Sequence, residues 1–286
     1  MIPNFFVKSH GLGNEYIVLD KENIQFELTP KAIKILCNIH FGIGSDGVLL
    51  KVPSNKAQFG FKVYNPDASE AEKSGNGLRI FAKYLYDYGF TTNKIFTIET
   101  LGGIVTAEIL EVKNQKATIV KIDLGKATFL SKEIPVSSEK EEFIGQTILA
   151  DDKTYVVNCV SVGNPHCVII KENLDKNEIL KYGKFLEKHK LFPNNINVQF
   201  AKPISKTEIE ILIWERGAEY TLASGSSSSA VACICKKLGL TDNDVTMKME
   251  GGELKISLDE DYNIKLTGEV KEVASGILSN ELLEDF

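Results

Sequence analysis

The sequence predicts an α+β protein of two pseudo-symmetric β-roll domains, each wrapped around a central hydrophobic helix. One observation behind this is an internal repeat. Gly13-Asn14 recurs as Gly163-Asn164, Ser74-Gly75 as Ser224-Gly225 and Gly89 as Gly239, each displaced by 150 residues. Val63-Tyr64-Asn65 recurs in character as Ile213-Trp214-Glu215. A period this long is far above that of a solenoid and implies two domains of one architecture. The other observation is that each copy surrounds one apolar helix with strand-like segments, so helix and strands must share a core.

In chain order, residues 29–40 (TPKAIKILCNIH) have helical spacing, with Thr29 as cap and Pro30 in the first turn. FKVYN (61–65) alternates as a strand. SGNGLRIFAKYLYDYG follows, with Ser74 as a cap and Gly89 as a stop. Leu78, Phe81, Ala82 and Leu85 lie on one face, and Ile80 and Tyr84 widen it until the helix must be buried nearly all round. KIFTIET (94–100) and IVTAEIL (104–110) flank a Gly102-Gly103 turn. The stretch 123–150 is the expected crossing between halves. In the second copy ILIW (211–214) is a strand and SGSSSSAVACICKKLG (224–239) a helix with a small apolar body. VTMKME and ELKISL flank Gly251-Gly252, and the last residues return to the first domain. The expected domains are 1–125 with 273–286, and 126–272.

Bulk properties exclude several classes. The chain of 286 residues is long enough for two cores, and its 43% apolar and 25% charged content is that of an ordinary globular protein. A net charge of −6 without a basic stripe argues against nucleic acid. No run of apolar residues is long enough for a membrane-spanning helix, and the opening MIPNFFVKSHG lacks a secretory apolar stretch, so a cytoplasmic location is expected. The five cysteines, 37, 159, 167, 233 and 235, are odd in number and scattered, and read as small core residues. The four histidines are dispersed, and no spacing suggests a metal.

Four loops are rich in Gly, Asn and charge: HGLGNEY (10–16), YNPDASEAEKSGNG (64–77), VGNPHC (162–167) and WERGAEYTLASGSS (214–227). Two of them run into the starts of the buried helices, where unpaired N–H groups and about half a positive charge suit a carboxylate. The GxG of the first loop lacks the third glycine and the βαβ setting of a dinucleotide site. His166 is expected beside the ligand, because it follows the repeated Asn164.

At these loops, and over nearly the whole chain, the sequence resembles the diaminopimelate epimerase family of pyridoxal-phosphate-independent amino-acid epimerases. HGLGNEY is similar to the family's HGLGN-D-F loop and HFGIGSDG to its H-F-G-I-G-x-D-G segment. YNPDASEAEKSGNG resembles Y-N-x-D-G-S-E-A-x-x-C-G-N-G, VGNPHC its G-N-P-H loop and WERGAEYTLASGS its E-R-G-x-G-x-T-x-A-C-G. The resemblance implies two β-roll domains with a small zwitterionic amino acid in the cleft between them, no cofactor, and a homodimer. It implies that a thiolate on one domain removes the α-proton of LL- or meso-diaminopimelate while a thiol on the other delivers one from the opposite face. Those positions are Ser74 and Ser224 here, so both family cysteines are replaced by serine. The implied substrate contacts are Asn14, Asn65, Gly75, Asn76, Asn164, Asn197, Gly225 and Ser226, with Glu215 and Arg216 at the reacting centre and His166 assisting.

The replacement changes the chemistry. A thiol is partly ionised near neutral pH, above all at a helix start, whereas an alcohol is scarcely ionised and normally needs an adjacent base. His166 and Glu215 are the candidates for that base. The neighbouring departures, GAEYT in the second loop and the run Ser226–Ser229, point to a natural, diverged member. Besides epimerisation, two alternatives follow: an isomerase or racemase on another amino acid using His166 or Glu215 as a single base, and a non-catalytic amino-acid-binding homologue.

Overall fold

A computed structural model of the chain describes residues 2–286. It divides into two compact units: the described residues up to 123 with 267–286, and 124–266.

The first unit contains β1 (Phe5–Gly11), β2 (Asn14–Asp20), α1 (Pro30–Cys37), β3 (Val48–Val52), β4 (Phe59–Tyr64), β5 (Glu70–Ala71) and α2 (Gly75–Asp87). It continues with β6 (Ile95–Thr100), β7 (Gly103–Lys113) and most of β8 (Lys116–Lys126). The second unit contains β9 (Gln146–Ala150), β10 (Lys153–Ser161), β11 (Pro165–Ile170), α3 (Lys176–Glu187), β12 (Asn197–Pro203) and β13 (Glu208–Glu215). After β14 (Glu219–Thr221) come α4 (Gly225–Lys237), β15 (Asp244–Met249), β16 (Gly252–Leu258) and most of β17 (Asn263–Glu269). β18 (Lys271–Ile277) and α5 (Asn280–Glu284) rejoin the first unit, where β18 pairs antiparallel with β1.

The internal repeat survives at the level of hydrogen-bond register. Ile17 pairs with Val48 in the parallel ladder β2·β3, and Cys167 with Val198 in β11·β12, both partners displaced by 150. Val48 opposes Tyr64 and Val198 opposes Trp214; Val63 opposes Ala71 and Ile213 opposes Thr221. The helices match too. Ser74 Oγ accepts the Gly77 N–H (3.0 Å) and Ser224 Oγ the Ser227 N–H (3.3 Å), so each serine caps its helix. Each helix ends in a left-handed glycine, Gly89 at φ 75° and Gly239 at φ 68°. Phe90 N–H reaches Leu85 O and Leu240 N–H reaches Cys235 O, which satisfies carbonyls the helix ends would otherwise leave open.

Burial explains why the strands next to these helices are apolar throughout. Residues 16–20 of β2 and 197–201 of β12 are buried on both faces. Because side chains alternate along a strand, Ile17 and Leu19 meet Ile33, Leu36 and Cys37 of α1, while Val198 and Phe200 share a core with Ile179, Tyr182 and Leu186 of α3. The intervening residues Tyr16 and Val18, or Asn197 and Gln199, point the other way. α2 packs against β1, β2 and β7, and α4 against β10, β11, β12 and β16. The two central helices are buried without a break over 76–85 and 227–235.

Two differences from expectation have local causes. The first helix ends at Cys37 and not at residue 40. Asn38 turns extended, and its Oδ1 accepts the N–H groups of His40 and Phe41, a side-chain alternative to another helical turn. α3 was not anticipated, because Gly183 interrupts its pattern. A Cβ at that glycine would fall inside the Trp214 indole, so the ring occupies the space of the missing side chain. The indole Nε1–H then donates to Glu187 Oε2 of the same helix (2.8 Å). All five cysteines are buried and unpaired. Among the described residues no helix is long and apolar enough to cross a membrane.

Candidate active site

In the first unit the site residues gather where α2 begins. Ser74 Oγ, besides capping α2, shares a hydrogen bond with Tyr16 OH (3.2 Å) from the α2-facing side of β2. Gly75 and Asn76 form the first turn of α2. Asn76, 4% exposed, donates through Nδ2 to Asn14 Oδ1 (3.0 Å), and Asn14 Nδ2 donates to Asp46 Oδ2 (2.9 Å). The Glu15 N–H meets the same carboxylate oxygen (2.9 Å). Arg79, one turn into α2, is fully buried. Its Nη2 donates to Asn76 Oδ1 (2.9 Å) and its Nη1 to Gly75 O (3.2 Å), while Nε has no hydrogen-bond partner. Burial, with no carboxylate to offset it among the described residues, pushes the guanidinium pKa down to about 9. Asn65 stands on the exposed turn after β4, where Nδ2 donates to Ser69 Oγ (2.9 Å).

In the second unit the corresponding residues form a connected chain at the start of α4. Ser224, 5% exposed, takes the Ser227 N–H and lies 3.4 Å from Ser226 Oγ. Gln199 Nε2 donates to Ser227 Oγ (3.0 Å) and to His166 Nδ1 (3.1 Å). With Nδ1 accepting, the ring proton sits on Nε2 and is donated to Asn164 Oδ1 (2.9 Å). Asn197, 5% exposed, donates to Pro165 O (2.9 Å) and accepts the Arg216 N–H (2.9 Å). It therefore joins β11 to the turn after β13. Glu215 ends β13, half-buried, and Arg216 is exposed, with Nη1 on Asn194 O (3.1 Å).

His166 departs from the role read in the sequence. It is fully buried, both ring nitrogens are engaged, and burial lowers its pKa to about 3, with Arg216 adding to the effect. At neutral pH the ring is neutral. In place of the base role expected from the sequence, this geometry suits His166 to orienting Asn164.

Sequence reasoning missed Tyr16, Asp46, Arg79, Gln199 and Ser227. Signals existed for some of them. Arg79 is a charged residue on a helix predicted to be buried all round. Gln199 follows Asn197 by two, so strand alternation puts both on one face. Tyr16 and His166 are related by the repeat, as are Arg79 and Ser229. Arg79 Nη1 donates to Gly75 O, and Ser229 Oγ donates to Gly225 O (2.8 Å). Two different side chains thus satisfy the same carbonyl in the two copies. Among the described residues no cluster of His, Cys, Asp or Glu could hold a metal ion.

The α+β architecture of two like units is shared with solved structures. A probable proline racemase from Agrobacterium radiobacter, with bound carbonate, matches with a TM-score of 0.74 at 13% identity, over 96% of this chain and 93% of that one. A hydroxyproline epimerase from Agrobacterium vitis, with bound trans-4-hydroxy-L-proline, matches with a TM-score of 0.72 at 11% identity, over 95% and 91%. At these identities the likeness defines the fold. Sequence defines the family: the diaminopimelate epimerase family model matches residues 6–130 and 158–273. Diaminopimelate epimerase 2 of a Nostoc species is 46% identical over 97% of this chain and 96% of its own length. The diaminopimelate epimerase of Alkaliphilus metalliredigens is 39% identical over 98% and 99%. The chain belongs to the diaminopimelate epimerase family.

Proposed function

We propose that the chain is an amino-acid epimerase that interconverts LL- and meso-diaminopimelate, a step of lysine and peptidoglycan-precursor biosynthesis, by proton transfer at the α-carbon. Ser74 handles the proton on one face and Ser224 on the other. The serine present as alkoxide takes the α-proton and becomes a hydroxyl as the other serine's hydroxyl delivers its proton and becomes the alkoxide, so the proton count and charge of protein plus substrate are unchanged. Asn14, Asn65, Asn76, Asn164 and Asn197, with Glu215, Arg216 and the helix-start residues Gly75, Gly225 and Ser226, hold the zwitterion.

The observation that carries this reading is the twin capping geometry. Each serine oxygen receives an N–H at the start of a buried helix, Gly77 N–H on Ser74 and Ser227 N–H on Ser224. Such donors and the positive helix end stabilise an oxyanion and the carboxylate of a carbanionic transition state. Family membership at 46% identity to a diaminopimelate epimerase supports the substrate. The serine pair makes slow turnover the expected behaviour. The reading with His166 as single base loses support, since its Nδ1 lone pair is occupied by Gln199 and burial makes the ring a weak base.

Incubation with LL- or meso-diaminopimelate in D2O, followed by proton NMR, tests the proposal. Deuterium at the α-carbon, with the other stereoisomer appearing, is expected. Binding without deuterium uptake at high protein concentration supports the non-catalytic homologue instead. A homodimer and a cytoplasmic location accompany this reading, and light scattering on the purified protein tests the first.

A further inference from the structure

We infer that Arg79 and Asp46 are positioning residues that lock the side-chain amides of Asn76 and Asn14 into one polarity. The two asparagines are joined in series between them, and the ends of the series are chemically unlike. A guanidinium can only donate hydrogen bonds and a carboxylate can only accept them. Arg79 Nη2 donates to Asn76, so the oxygen of that amide must face Arg79. Its Nδ2 is then left to face Asn14, which must answer with its own oxygen. Asn14 Nδ2 in turn faces the acceptor Asp46. Reversing either amide would set two donors or two acceptors against each other at both of its contacts. In an ordinary asparagine pair both orientations satisfy the same bonds, and neither end decides.

The surroundings are built around this series. Arg79 lies fully buried without a carboxylate partner among the described residues, an arrangement normally avoided because a desolvated charge needs compensation. Its compensation is the Gly75 carbonyl and the Asn76 oxygen. Gly11 makes room for it: a Cβ there would sit 2.9 Å from Arg79 Nη2. In the second copy position 229 is a serine that satisfies only the carbonyl, and Asn164 is oriented by His166 and Gln199 instead. The twin asparagines Asn14 and Asn164 therefore end in the same state by different means. Each has its oxygen engaged within its own unit. What the lock offers a ligand is a fixed set of N–H donors, suited to carboxylate oxygens. That last consequence rests on the proposed function, since it takes Asn14 and Asn76 as substrate contacts; the lock itself does not.

The test separates the two. The side-chain amide signals of Asn14 and Asn76 are followed by nitrogen-15 NMR in the full-length, ligand-free protein and in Asp46→Asn. Residue 46 is exposed, so this isosteric change leaves the core intact. An asparagine there can donate or accept, but Arg79 at the other end still fixes the Asn76 oxygen and through it Asn14, so Asp46→Asn alone should keep single signals for both amides. Arg79→Gln alone should keep them too, because Asp46 still fixes the series from its end. The double variant Asp46→Asn/Arg79→Gln removes both one-sided ends, and the signals of Asn14 and Asn76 should double or broaden together, whereas Asp46→Asn/Arg79→Lys keeps a donor-only end and should preserve single signals. If the double variant does not fold, the parent and Asp46→Asn decide. Single signals in a folded Asp46→Asn/Arg79→Gln, or doubled signals in the parent or in Asp46→Asn, would overturn the lock. With diaminopimelate, the double variant Asp46→Asn/Arg79→Gln should raise KM about tenfold over Asp46→Asn, the scale of one misdirected hydrogen bond, with kcat altered less. Absence of any turnover in the parent protein would count against the epimerase reading and leave the NMR result standing.

Discussion

Replacing both twin serines by cysteine should accelerate α-proton exchange by about three orders of magnitude or more. Each sulfur would occupy a helix N-cap whose N–H donor, Gly77 N or Ser227 N, already points at the oxygen it replaces. The electrostatic setting therefore stays and only the acid changes. A thiol of pKa ~8.5 is about 3% ionised at pH 7, while an alcohol, about as weak an acid as water, is ionised on the order of one part in 10⁹. The population advantage of roughly 10⁷ is partly offset because a weaker base takes a proton more slowly. With a Brønsted exponent of ~0.5, about half the logarithm survives, a net gain on the order of 10³ to 10⁴. The assay is deuterium uptake from D2O at the α-carbon, with conversion between LL and meso forms followed by chiral chromatography. The single variants Ser74→Cys and Ser224→Cys should each fall between parent and double variant. A double variant that is folded by circular dichroism, binds diaminopimelate and exchanges no faster than the parent would refute the reasoning, because base strength would then not limit the reaction.

Gly183→Ala should destabilise the second unit by about 1–3 kcal/mol, since its Cβ overlaps the Trp214 ring; urea denaturation followed by indole fluorescence reads this directly. Lys83→Met should be more severe, about 3–5 kcal/mol. It leaves the Asp87 carboxylate, whose side chain is 1% exposed, without the ammonium 2.6 Å away and removes the Lys83 bond to Ala117 O (2.7 Å) that ties α2 to β8. His166 should not titrate by NMR between pH 5 and 8, because its pKa lies at about 3. Its folded pKa is below the unfolded ~6.5, so between those values the unfolded chain binds more protons. Stability due to this group is therefore complete above about pH 6.5 and falls as pH drops toward 3, by up to about 1.4 kcal/mol per pH unit. Urea midpoints at pH 7 and pH 4.5 should differ less in His166→Gln than in the parent.

Much of the fold was legible because it is encoded locally and written twice. The period-150 repeat, the serine before each apolar helix and the glycine after it are short-range signals, and each matches a defined hydrogen bond at a helix end. Buried strands were harder to bound, since β2 and β12 are apolar on both faces and show no alternation. α3 escaped because the glycine that breaks its pattern serves a contact with Trp214, 31 residues away in sequence.

By itself, then, the sequence determined the α+β class, the two-copy architecture and the identity of the polar loops, because periodicity and caps depend only on neighbours along the chain. Only the tertiary structure decided what those polar residues do to one another. Arg79, Asn76, Asn14 and Asp46 come from three separate segments, and their order as donor and acceptor exists only once the segments meet. The same holds for His166, whose neutrality follows from full burial and from two amide partners, one of them, Gln199, 33 residues away. Protonation and hydrogen-bond direction are set by desolvation and by the partners that fill each lone pair, and a linear sequence specifies neither until it is folded.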